Sequence, residues 1–112
     1  MDKKIKNYQK IIENYLREEA EDKSIPGIEF QLITDTVHHQ FQLVETGWHE
    51  KHYIYSVLFH FSIKENGKVW LLANNTDILV GEELLKRGIP ASDIVIGFHP
   101  ENVRHFTGFA TA

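Results

Sequence analysis

No cysteine occurs anywhere in the chain, and that one absence removes a disulfide framework, a thiolate zinc site and a cysteine nucleophile together. A reducing compartment is therefore expected. No apolar run is long enough for a membrane span or for the hydrophobic region of a signal peptide, since the basic start Met1-Asp2-Lys3-Lys4-Ile5-Lys6 runs straight into an amphipathic pattern. The expected location is cytoplasmic, without membrane association. Excess positive charge is missing too: twelve Lys and Arg stand against sixteen Asp and Glu, a net charge of −4, so direct nucleic-acid binding is not expected. Linkers, internal repeats and low-complexity stretches are also lacking. What is present is an ordinary globular composition, 42% hydrophobic and 25% charged over 112 residues, which fits a single domain spanning residues 1–112 with one core. Seven Phe, four Tyr and two Trp make that core aromatic.

Between Asp2 and about Asp22, Ile5, Tyr8, Ile12, Tyr15 and Leu16 recur at helical spacing and define one stripe. Asp2 is the expected N-cap. Lysines at the start and acids at the end (Glu18, Glu19, Glu21, Asp22) oppose the helix macrodipole, so the ends are expected to fray and the stripe to hold the helix by packing. Ser24-Ile25-Pro26-Gly27 ends it. From Ile28 to Asn74 the pattern alternates with period two: Ile28, Phe30 and Leu32 share one face, as do Phe41 and Leu43. Tyr53, Tyr55, Val57, Phe59, Phe61 and Ile63 are expected on a single face of a long third strand. Asn66-Gly67 predicts a two-residue type I′ hairpin, which would set Ile63 opposite Trp70 and Phe61 opposite Leu72. A second helix is expected with the stripe Ile78, Leu79, Leu84 and Leu85, capped by Asn75, Thr76 or Asp77 and stopped at Gly88. Ile94-Val95-Ile96 follows as a short buried strand. The expected class is α+β: an N-terminal helix, a four-stranded antiparallel meander, a second helix, a short fifth strand and an irregular C-terminal tail.

Seven histidines raise the question of metal. The pairs His38-His39 and His49/His52 fall in turns at opposite ends of the second strand, about 30 Å apart, and neither turn supplies the three or four ligands a zinc site takes. No metal or other cofactor is expected. Ser56, Ser62 and Ser92 lie in no nucleophile elbow, Gly81 is alone in a helix and makes no phosphate loop, and Glu83 with Arg87 reads as an i,i+4 ion pair. No catalytic residue is expected. The tail differs: Phe98, Phe106 and Phe109 alternate with His99, Arg104 and His105, a mixture of apolar anchors and donors that either closes a core or forms an interface. Phe98, His99, Arg104, Phe106 and Phe109 are the expected partner-binding residues, with Arg104 as the polar anchor. Two other readings stand beside this one. Lys3, Lys4, Lys6 and Lys10 could touch DNA, and His99, His105 and Glu101 could serve a small metal-dependent hydrolase.

Several segments of the tail form a recognisable order: Gly88-Ile89-Pro90, Asp93 to Pro100, Val103-Arg104 and Thr107-Gly108-Phe109-Ala110. Together with Asp35-Thr36, Phe41 to Val44 and Gly47-Trp48, this order resembles the XisI family, the fdxN-element excision controlling factors of cyanobacteria. Phe106 stands where that pattern has tyrosine, and the histidine turns lie outside it. The resemblance implies a non-enzymatic accessory protein of site-specific DNA excision during heterocyst development. Its implied partners are a recombinase and a nuclease-like XisH-type protein, and it implies no active site to carry over. A small two-layer domain must also cover its sheet, so a homo-oligomer is expected.

Overall fold

A computed structural model describes residues 2–112; the side chain of Asp2, the expected N-cap, lies outside the described residues. The elements are α1 (Asp2–Asp22), β1 (Ile28–Asp35), β2 (Gln40–His49), β3 (His52–Ile63), β4 (Val69–Asn74), α2 (Val80–Lys86) and β5 (Ile94–Ile96). Short 3₁₀ turns occupy Ala91–Asp93 and Glu101–Phe106. The strands form one sheet in the order β1-β2-β3-β4-β5. The first four are antiparallel and β5 is parallel to β4. A parallel neighbour needs a crossover connection, and α2 supplies it.

The stripe of α1 does what its spacing implies. Tyr8, Ile12, Tyr15 and Leu16 are buried and pack on Phe41, Leu43, Phe59, Phe61, Ile63, Val69 and Leu71 from the sheet. Tyr15 lies 5.9 Å from Phe59 and meets Phe61 nearly edge-on at 6.4 Å, a geometry that the ring quadrupoles favour. The charges that oppose the macrodipole find tertiary partners. Near the start Lys4 pairs with Asp93 at 2.9 Å; toward the end Arg87 grips both oxygens of Glu18, at 2.9 and 3.2 Å, while lying over the Tyr15 ring.

Three expectations are corrected. The six alternating residues of β3 do not share a face: opposite Leu43 and Val44 the partner jumps from Phe59 to Val57, leaving Leu58 as a bulge. A bulge shifts the alternation by one residue, so adjacent Leu58 and Phe59 both enter the core while Tyr53 and Tyr55 are exposed. The β3–β4 hairpin also has another register. Gly67 has φ 82°, but Asn66 is not among the described non-glycine residues with positive φ, as a type I′ turn would require. Instead Gly67 N–H donates to the Lys64 carbonyl and Lys64 N–H to the Lys68 carbonyl, closing a three-residue loop. Phe61 therefore faces Leu71 and Ile63 faces Val69, which turns the buried pair Val69 and Leu71 inward and leaves Trp70 and Leu72 half-buried. Finally, α2 starts at Val80 with no side-chain cap and buries Val80 and Leu84, whereas Leu79 and Leu85 are exposed. Asn74 and Thr76 spend their hydrogen bonds on the preceding loop.

The Asp93 carboxylate joins the start of α1 to the turn before β5. It accepts from Tyr8 Oη at 2.5 Å and from Lys4 Nζ at 2.9 Å on the same oxygen. Burial, the hydrogen bond to Asp93 and the Asp93 charge together push the Tyr8 hydroxyl from 10.0 up to about 12. Burial alone would raise Asp93, but Tyr8 and Lys4 outweigh it and hold the carboxyl below its ordinary value. Because the folded state keeps the Tyr8 proton longer than the unfolded chain does, this contribution is whole below about pH 10 and is lost as pH rises toward about 12. Wild-type stability should fall by on the order of 2 kcal/mol across that window from Tyr8. Tyr8→Phe should have a correspondingly shallower alkaline limb in urea denaturation, and superimposable limbs would refute the linkage.

Candidate functional site

The C-terminal segment is a strap that wraps the β5 edge of the sheet. Ala110 N–H donates to the Ile94 carbonyl at 2.8 Å, and Ala110 bridges Val95. Before that point the strap reaches the β4 side chain Trp70 through Arg104, which stacks over the ring at 4.9 Å, and Lys64 lies 5.6 Å from the same ring. Arg104 donates from Nε to the His99 carbonyl at 3.0 Å and from Nη1 to the Thr111 carbonyl at 3.1 Å, so its fork binds its own strap. After Thr107, whose hydroxyl donates to the Arg104 carbonyl and accepts from Phe109 N–H, the chain turns in toward the core. Phe109 packs on the core there and presses against Gly81, where a Cβ would lie 2.5 Å from the ring tip. Gly81 thus permits close approach of helix and strap.

Between α2 and the strap lies a cleft of roughly 340 Å³. Leu71 and Ile96 line it from the sheet, Ile78 to Glu82 from the start of α2, and Phe98, His99, Thr107 and Phe109 from the strap. The structure brings Phe98, His99 and Phe109 together in this cleft, while Arg104 and Phe106 lie outside its lining. Phe106 is 79% exposed and stacks on His105 at 3.9 Å. An apolar lining with Glu82 and His99 at its rim can hold a large apolar side chain and orient a polar neighbour. Leu79, 68% exposed beside Phe98 at 47%, was missed in the sequence because it read as part of the inward stripe. Trp70, the platform for Arg104, was missed because the assumed register turned it inward.

Elsewhere three polar side chains have partners within the sheet and its turns. His60 Nδ1 lies 3.2 Å from Gln42 Nε2 and its Nε2 lies 2.9 Å from Gln40 Oε1, partners that suit a neutral ring. Burial and the Lys64 charge lower its pKa. His38 pairs with Asp35 at 2.7 Å. Ser56 donates to Glu45 across the β2–β3 ladder. Among the described residues no group of three or more His, Asp or Glu is placed to hold a metal ion, and no helix is long and apolar enough to cross a membrane.

The fold and its strap define a class: small α+β domains whose C-terminus closes a five-stranded sheet and walls a surface cleft. Within that class the chain belongs to the XisI family, whose model, described as XisI protein, matches residues 1–111. A crystal structure of a XisI-like protein from Anabaena variabilis superposes with a TM-score of 0.89 at 37% identity, covering 96% of this chain and 99% of that one. The fdxN element excision controlling factor XisI from the same organism gives a TM-score of 0.80 at 30% identity, over 97% and 99% of the two chains. Comparison with curated proteins gives no match.

Proposed function

We propose that this protein is a non-enzymatic accessory factor controlling site-specific excision of a DNA element, acting beside a recombinase through a XisH-type nuclease-like partner. Full-length similarity to the fdxN excision controlling factor carries the reading. The cleft supports it, because an apolar slot rimmed by Leu79 and Phe98 on a water-facing surface is the kind of feature that receives a partner's anchor side chain. In this reading Phe98, His99 and the Phe109 wall receive the anchor. Arg104 acts indirectly, by holding the strap in place on Trp70.

Co-expression with a XisH-type protein tests the proposal. The two should co-purify, and Phe98→Ala should weaken the complex by about thirtyfold, the loss that goes with truncating one central anchor. Leu79→Ala should act in the same direction. Separate elution over a broad salt range would refute the partner reading. Retention of DNA by this chain alone at low salt, with a steep salt slope, would favour direct binding instead.

A further inference from the structure

The two edges of the sheet are treated differently. β5 is covered by the strap through Ala110, whereas β1 is paired only with β2 among the described residues. β1 runs from Ile28 to Asp35 with no register shift against β2. Proteins usually guard such an edge with proline, lysine, a bulge or a covering segment, and Ile28-Glu29-Phe30-Gln31-Leu32-Ile33-Thr34-Asp35 contains no proline or lysine. Phe30 and Leu32 are only half-buried at this margin, and Ile33 on the other face is 50% exposed.

We propose that β1 is a dimerisation edge, along which a second copy of this chain pairs its own β1 antiparallel about a two-fold axis at Gln31. The reading is independent of the partner proposed for the cleft. An axis normal to the sheet keeps the helices of both copies on one side, so each residue must face one of its own parity. Centred on Gln31, the ladder runs from Ile28 to Thr34. It sets Phe30 of one copy against Leu32 of the other, twice, and Glu29 against Ile33. Centred on Leu32, it would set Glu29 against Asp35, two carboxylates in direct opposition, which is unfavourable. Centred on Phe30, the ladder would shorten and leave Ile33 beyond it. The edge is thus self-complementary in one register, and the joined sheet has the five strands of each copy side by side.

Because the chain has no cysteine, the register can be read by single thiols. Paired residues across an antiparallel ladder have Cα atoms about 4.5–5.5 Å apart, within disulfide reach, so Gln31→Cys should form a covalent dimer on mild oxidation. Glu29→Cys should not, since the two thiols would sit about 13 Å apart along the ladder. The wild-type chain should sediment as a dimer. Gln31→Lys, which places two ammonium groups at the axis, should raise the dimer Kd about fivefold at low salt, with partial recovery as salt increases. A monomer at high protein concentration, equal cross-linking by the two cysteine variants, or a dimer indifferent to Gln31→Lys would each overturn the proposal.

Discussion

Ending the chain after Gly97 should remove about 4 kcal/mol of stability, a large share of the few to fifteen that a domain of this size holds. The strap contributes through the core and not through its own turns. Loss of Phe109 empties the space against Gly81 and α2, and a buried Phe removed in full costs about 3–5 kcal/mol, so a half-buried one costs about half of that. Val95, now fully buried, loses the Ala110 bridge beside it, and uncovering a Val side chain costs about 1.5–3 kcal/mol. The Ile94 carbonyl loses the Ala110 donor and is returned to water. Urea denaturation of the truncated chain against the full one measures the sum. Two point variants separate closure from docking. Phe98→Ala, at a side chain 47% exposed, should change stability by less than about 1 kcal/mol while weakening the partner complex. Arg104→Ala should loosen the strap without emptying the core. A truncated chain as stable as the full one would show that the strap is an appendage, and the cleft it walls would then have no fixed shape.

The elements of this fold were legible because their signals are local. The α1 stripe, the turn residues at Pro26-Gly27 and Gly88, and the run Ile94 to Ile96 each depend on neighbours a few residues away. The errors arose where one extra residue changes the phase of a strand. Leu58 and Phe59 are both large and apolar, and period-two reading must turn one of them out; the bulge lets both in. Asn66-Gly67 favours a two-residue turn, yet the core gains more when Val69 and Leu71 point inward, and a type I turn closed by Gly67 delivers that register. The misreading of α2 has a similar origin, since Ile78 and Leu79 read as its first turn although the Asn74 and Thr76 hydrogen bonds delay the helix to Val80. The candidate site was half legible. The tail announced itself by composition, but the cleft depends on how α2 and the strap meet at Gly81, a tertiary fact with no local signature. Arg104 is a case in which the residue type suggested a partner's carboxylate and the structure supplies two backbone carbonyls and a Trp ring.

Phe61→Ala should be among the most damaging single substitutions, costing about 3–5 kcal/mol, and its neighbours on β4 turn that cost into a test of the register. Phe61 is fully buried, faces Phe41 on one side and Leu71 on the other, and presents its ring to Tyr15. Few contacts could relax into the space it leaves, because α1 is held over it by Lys4 to Asp93 near one end and by Arg87 to Glu18 toward the other. Leu71→Ala should cost about 2–5 kcal/mol, since Leu71 is 2% exposed and packs in the same cluster. Leu72→Ala should cost about 1 kcal/mol or less, because Leu72 is the extra, half-buried residue of the β4 bulge. A two-residue turn at Asn66-Gly67 predicts the opposite order, with Leu72 opposite Phe61 in the core and Leu71 outside. Coupling should follow the same geometry: Phe61→Ala combined with Leu71→Ala should be non-additive by more than about 0.5 kcal/mol, whereas Phe61→Ala with Leu72→Ala should be close to additive. Urea denaturation of the three single and two double variants gives both comparisons, and a larger loss at Leu72 than at Leu71 would restore the tight-turn register.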